Sequence, residues 1–384
     1  MKMQSKLATV AILGLVATTS YAAPSLYGLF DVSVDYLPEN NKTTADRDVV
    51  EVSSNTSFIG VKGTEKINDR LGFVYQADFG YDLSGKDDSG ADILNRTRFV
   101  GIKDEKLGTL RVGYQDTPVK LLSSAVDSFN GRVNNVADVH GIMTGENRIS
   151  NTVMYLSPDI KVATGKVNVN VLTATGEASG AKTINGGYKV SGRGLGDSFS
   201  TSVVYSQPEF VIGVGYDKAI PSRFVSSGFL NASERVVNRS VIGSNVVASA
   251  DTVRVTGRYN FKEQGVAVKG LYQRSEVSSA KSNHVASGTV AQAANIDNAT
   301  AWLIGAEYNL PNQKAITTRA QYSQSTTSFK DGTPDYEAKQ ILAGAEYAFN
   351  KQANAYVQAG YLEIKHNGEK DKQPVLGTGL AYKF

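Results

Sequence analysis

The sequence predicts an all-β chain closed into one sixteen-stranded, antiparallel, membrane-spanning barrel. Three observations predict it. From Ser25 onward apolar residues recur at every second position, not every third or fourth. The alternating segments number sixteen, an even count, and the links between them alternate between short and long.

The first segment is a leader rather than a strand. Lys2 and Lys6 precede the apolar run 7–16, and Ser20-Tyr21-Ala22 follows. A basic start, a short apolar centre and small residues at the last and third-last positions predict a secretory signal peptide, 1–22, cleaved after Ala22. The run is too short to cross a bilayer as a helix. Without Lys2 and Lys6 the formal charge falls from +3 to +1. A nearly neutral exported chain argues against nucleic acid as a partner.

The first strand, 25–36, sets Leu26, Phe30, Val32 and Val34 against Tyr27, Asp31, Ser33 and Asp35. The second, 49–66, reaches the short link 67–69. The third, 70–83, is the clearest: Phe73, Tyr75, Ala77, Phe79 and Tyr81 alternate with Gly72, Val74, Gln76, Asp78 and Gly80. Strands follow at 93–104, 108–115, 148–158, 165–176, 198–206, 209–220, 251–261, 264–277, 299–310, 314–326, 337–350, 353–366 and 375–384. Long polar links at 84–92, 116–147, 177–197, 221–250, 278–298 and 327–336 lie between them. One apolar and one polar face per strand suits a closed sheet with lipid outside and water inside, since hydrocarbon leaves no backbone group unpaired. A β-sandwich rarely needs sixteen strands in one unit, and no solenoid repeat is present. No composition shift divides 23–384, which reads as a single domain.

Composition narrows the chemistry. There is no Cys, and only His140, His284 and His366 are present, far apart. Thiolate and His-cluster metal sites are excluded, no cofactor is expected, and no motif for a nucleophilic triad supports an enzyme.

Several stretches resemble the Gram-negative general porin family, in its Neisseria-like, β-proteobacterial form. They are Leu26-Tyr27-Gly28, the run 58–63, and Asn95-Arg96-Thr97-Arg98-Phe99-Val100-Gly101-Ile102-Lys103 with Leu107 to Gly113. The run from Asn147 to Tyr155 and the C-terminal run 377–384 complete the set. The resemblance spans the expected mature chain. It implies a homotrimer in outer-membrane lipid and lipopolysaccharide, each barrel with its own pore for small hydrophilic solutes and ions, narrowed by the third long loop, 116–147. It also implies that Phe384 is the aromatic read by the barrel assembly machinery, and that the protein resides in the outer membrane of a Gram-negative bacterium.

A pore needs a width and a field, not bond chemistry. Alternation predicts Arg96 and Arg98 inward, with Thr97, Phe99 and Gly101 outward, and likewise Arg111 and Arg148 inward. Arg96 and Arg148 fall where the family motif carries basic constriction residues. Asp127, Asp138 and Glu146 in the loop are the candidates for the acidic side. The alternative role for each Arg is to hold the loop or barrel shape by ion pairing. Leu29 and Phe58 stand where many relatives have basic residues, which predicts a less cationic eyelet. Further inward charges are Arg254, Arg258, Lys269 and Arg319. The expected function is passive diffusion with weak anion preference; the alternatives are a substrate-specific channel and a surface adhesin or structural barrel.

Overall fold

The computed structural model describes residues 23–38, 49–85, 93–176, 179–225, 229 and 246–384; the expected signal peptide lies outside them. Sixteen barrel strands are present. They are β1 (Ser25–Leu37), β2 (Val49–Ser54 and Phe58–Lys66), β3 (Leu71–Tyr81), β4 (Ile93–Asp104), β5 (Gly108–Asp116), β6 (Arg148–Leu156), β7 (Gly165–Ala174) and β8 (Ser198–Ser206). The second half holds β9 (Phe210–Arg223), β10 (Val247–Phe261), β11 (Val266–Val277), β12 (Ile296–Asn309), β13 (Ile316–Phe329), β14 (Tyr336–Ala348), β15 (Ala353–His366) and β16 (Glu369–Lys383). Each pairs antiparallel with its sequence neighbour, and β1 pairs with β16 from Leu29 opposite Lys383 to Tyr36 opposite Leu376. The sheet therefore has no free edge. At the seam Gly28 and Phe384 exchange backbone hydrogen bonds of 3.0 and 3.2 Å, and the Phe384 ring lies 5.3 Å from that of Phe30.

The short turns share one device. The side-chain oxygen of Asn68 accepts from the amides of Arg70 and Leu71, both at 2.9 Å. Asp104 does the same for Lys106 and Leu107, and Asn350 for Gln352 and Ala353. An Asx side chain that satisfies two turn amides closes a hairpin at little cost. Near this end Tyr259, Phe261, Tyr308, Tyr347, Phe349 and Tyr382 are exposed on the outer face, an interfacial aromatic girdle. Beyond this girdle the outward residues include Val100, Val112, Val255, Ile304, Ile341 and Leu380, the last 63 % exposed. Such a continuous apolar belt is at home in lipid and not in water.

The last hairpin is longer than expected. β16 starts at Glu369, not 375, because Asn367 (φ 52°) and Gly368 (φ 83°) form a two-residue turn. Both central residues sit at positive φ, which Asn-Gly tolerates and which matches the strand twist.

Inside, the barrel is not uniformly wet. Leu37, Leu271, Leu303, Tyr336, Leu342, Leu362, Ile364 and Val375 form a buried cluster with Val126, Phe129, Val133, Val139, Ile142 and Met143 of the loop between β5 and β6. That loop is thus packed as a core against β1 and the β11–β16 wall. Truncating a residue as enclosed as Phe129 to Ala costs about 3–5 kcal/mol.

Candidate functional site: the barrel lumen

The loop 117–147 crosses the lumen and is fastened at each stage. It enters through α1 (Pro118–Ser123), started by Pro118 and capped by Thr117, whose hydroxyl accepts from the Lys120 amide at 3.2 Å. Val119 and Leu122 lie against β9 where the wall has Gly213 and Gly215. A Cβ there would come within 2.6 and 2.9 Å of Leu122, so only glycine lets the helix seat this closely. Next, Ser128 receives Lys269 on its hydroxyl at 3.0 Å and Arg319 on its carbonyl at 2.9 Å. The tip, α2 (Arg132–Asn135), reaches the opposite wall. Arg132 pairs with Asp31 at 2.8 Å and lies 3.4 Å above the Tyr356 ring. The return through α3 (Val139–Ile142) ends at Glu146, which pairs with fully buried Arg254.

The loop carboxylates serve the loop itself and do not form an open acidic row. Asp127 accepts from the amides of Phe129 and Val139 at 3.1 and 3.2 Å, and Asp138 from those of Gly131 and Gly141 at 2.8 and 3.0 Å. Burial holds both carboxyls above the ordinary Asp range, and the charge of Asp127 raises Asp138 further. Glu146 is likewise raised by burial, opposed by Arg254. A closely folded loop has more orphan amides than backbone acceptors, and short acidic side chains fill the deficit.

Among the basic candidates the charges of Arg96 and Arg148 act on each other, while Arg98 and Arg148 each lie 5.8 Å from the Tyr114 ring. Arg96 faces inward, its guanidinium 4.8 Å from the Phe58 ring and bonded to the Thr56 carbonyl at 2.9 Å. Arg148 pairs with Asp116 at 3.1 Å, and Lys120 joins the same carboxylate at 2.9 Å. Arg98 differs from the expected alternation. The β3–β4 register shifts between Ala77 and Phe79, and Arg98 falls opposite Ala77 and Tyr114, in step with outward Val100 and Val112. A bulge adds one residue and flips the parity beyond it. By the same register Phe99 and Gly101 turn inward, in step with Arg111, whose guanidinium lies 4.4 Å from the Phe99 ring.

The later charges are compensated. Lys269 pairs with Glu307 at 2.6 Å and Arg319 with Glu346 at 2.9 Å. Arg258 lies 3.8 Å from Glu307 and bonds Asn260 at 2.8 Å. Lys120, Arg132 and His140 were not among the sequence candidates; only the folded loop brings them to the lumen. Alternation already places Asp31 inward on β1, and Asp116, at the end of β5, is a further strand residue that sequence reasoning missed. His140 is exposed yet enclosed by the barrel, and desolvation with the positive charges of Lys120, Arg223 and Arg148 lowers its pKa to about 3. It is neutral at physiological pH. Among the described residues no group of His, Asp and Glu could hold a metal ion.

A closed sixteen-stranded barrel, apolar outside, with a loop folded through a charged lumen, defines the class of channel-forming outer-membrane proteins. The chain belongs to the Gram-negative porin family, whose profile matches residues 8–367. It is 24 % identical over 388 residues to the major outer membrane protein P.IB of Neisseria gonorrhoeae, covering 98 % of each chain. Of solved structures, the anion-selective porin from Comamonas acidovorans has a TM-score of 0.67 at 16 % identity, over 94 % of this chain and 99 % of that one. A trimer form of OmpT, an outer membrane protein of Vibrio cholerae, has a TM-score of 0.56 at 16 % identity, over 94 % and 99 %. The family's members are channels, not enzymes, and this is a protein of the Gram-negative outer membrane.

Proposed function

We propose that the protein is a passive diffusion channel for small hydrophilic solutes and ions, with weak anion preference, working as a homotrimer. The observation that carries the preference is the uneven neutralisation of lumen charge. Lys269, Arg319 and Arg254 each have a carboxylate partner. Arg96 and Arg111 have none among the described residues, and Arg148 and Lys120 share the single carboxylate of Asp116. The residual field is positive and lies along β4–β6. At 0.15 M salt it acts over about 8 Å and fades as salt rises. The Neisseria relatives and the anion-selective and trimeric neighbours support the same reading. Lipopolysaccharide outside and the barrel assembly machinery during insertion complete the proposed partners, as does cleavage of residues 1–22 on export.

The test is the reversal potential in a KCl gradient across a planar bilayer. Wild type gives a small potential on the anion side, and replacing Arg96 and Arg148 by Gln moves it toward the cation side. A wild-type channel strongly selective for K⁺ overturns the preference. On gels the unheated protein runs as an SDS-resistant trimer; monomer alone in several mild detergents overturns the assembly.

A further inference from the structure

The inner wall of β1–β5 carries a repeated pairing of cation and aromatic ring. Lys62 Nζ stands 4.0 Å from the centre of the Tyr27 ring, Arg96 4.8 Å from Phe58, and Arg111 4.4 Å from Phe99. The register puts all six side chains on the inner face. Tyr27 is opposite Gly60, Phe58 opposite Gly80, Lys62 opposite Gln76, Phe99 opposite Gln76 and Gly113, and Arg111 opposite Gly101. Outward neighbours Ile59, Val61, Val100 and Val112 are exposed on the lipid side. None of the six is buried, so the pairs meet the lumen.

The glycines keep the wall flat. A Cβ at Gly60 would come 2.9 Å from the Tyr27 ring, and one at Gly80 3.3 Å from the Arg96 stem. Without those side chains the ring and the guanidinium stem lie down along the sheet instead of standing into the pore. Two of the cations make no ion pair with a carboxylate among the described residues, although the charges of Asp78 and Asp116 act on Arg96 and Asp78 accepts from the Tyr27 hydroxyl. Arg96 bonds only a carbonyl, and Arg111 reaches only the Met154 sulfur at 3.5 Å, its Nε unpartnered among the described residues. The opposite wall is different, dry around Leu303, Leu342 and Leu362 and neutralised around Lys269 and Arg319.

We propose that this stair of paired cations and rings is a binding path for planar aromatic carboxylates. A guanidinium lying on a ring keeps its edge N–H groups for a carboxylate and its free face for a second ring. A benzoate-like anion has a group for each, its carboxylate taking the guanidinium edge of one rung while its ring lies against the cation–ring pair of another, whereas an aliphatic acid of the same charge uses only the edge. Rungs spread across β1–β5 let the solute pass from one to the next without one deep well. The proposal rests on the channel reading and deepens it by naming a solute class.

Benzoate and cyclohexanecarboxylate, of equal charge and similar size, separate ring stacking from charge. Each is titrated as its potassium salt, near neutral pH, onto the KCl current of the full-length protein in a planar bilayer. The expected result is partial block by benzoate at a half-effective concentration about two- to fivefold below that of cyclohexanecarboxylate, the range a solvated cation–ring contact supplies. The double variant F58L/F99L brings the ratio close to one. Equal half-effective concentrations, no block by either acid, or a ratio unchanged in F58L/F99L would overturn the proposal while KCl steps keep the channel reading. If the double variant does not insert, the wild-type ratio and that of R111Q decide. Absence of any KCl steps in wild type overturns both readings.

Discussion

Replacing Arg132 by Ala should loosen the tip of the lumen loop without unfolding the barrel. Arg132 and Asp31 are both buried, paired at 2.8 Å, and the guanidinium also covers Tyr356 at 3.4 Å and approaches Glu346 at 3.6 Å. Removing one partner of a buried ion pair costs about 3–5 kcal/mol. Asp31 keeps Tyr356 Oη at 2.7 Å and Asn55 Nδ2 at 3.3 Å as donors, which places the loss near the lower bound, about 3 kcal/mol. The lost contact with the Tyr356 ring adds up to about 2 kcal/mol when desolvated. At 1.4 kcal/mol per decade, about 3 kcal/mol shifts the docked-to-released ratio of the tip roughly a hundredfold. The loop's other fastenings, Ser128 on Lys269 and Arg319 and Glu146 on Arg254, are untouched. Single-channel recording of R132A should therefore show larger steps with added flicker, while the barrel stays resistant to SDS. D31N, which keeps the shape and loses the charge, should lie between. A folded R132A protein whose step size and open-channel noise match wild type would refute the latch.

Three further outcomes follow from other contacts. R254M leaves Glu146 buried without its cation and should lower stability by about 3–5 kcal/mol, read as a lower heat-modification temperature; adding E146Q should recover part of it. Acidification should tighten the loop around Asp138. Its folded pKa is raised, so the stability it contributes is full below the ordinary Asp value and is lost as pH rises through the folded one. D138N should flatten the change in current noise between pH 5 and 8, and an equal slope in variant and wild type would count against this. Deleting Phe384 removes the Gly28 hydrogen bonds and the ring beside Phe30 at the seam. It should lower outer-membrane levels while export to the periplasm continues, measured by fractionation.

The strands were written in the sequence because a sheet with lipid on one side and water on the other repeats every two residues. Phe73 to Tyr81 could be assigned from alternation alone, and so could the inward sense of Arg96 and Arg111. Turn chemistry was local too: Asn68 and Asp104 mark short links, and Asn367-Gly368 carried a hairpin signal that a longer loop had been expected to replace. Arg98 was beyond that logic, because a bulge near Ala77 depends on how two strands pair. The loop was further beyond it. Asp127, Asp138 and Glu146 have the composition of an acidic pore face, yet buried amides and Arg254 claim them once the chain folds inward. The lumen arrangement is thus a product of long-range contacts between Arg132 and Asp31, Ser128 and Arg319, and Leu122 and Gly213. Periodicity fixes which way a strand residue points, since that is set by its nearest neighbours in the chain. Where an irregular loop comes to rest depends on partners about a hundred or more residues away, and only the closed barrel brings those within reach.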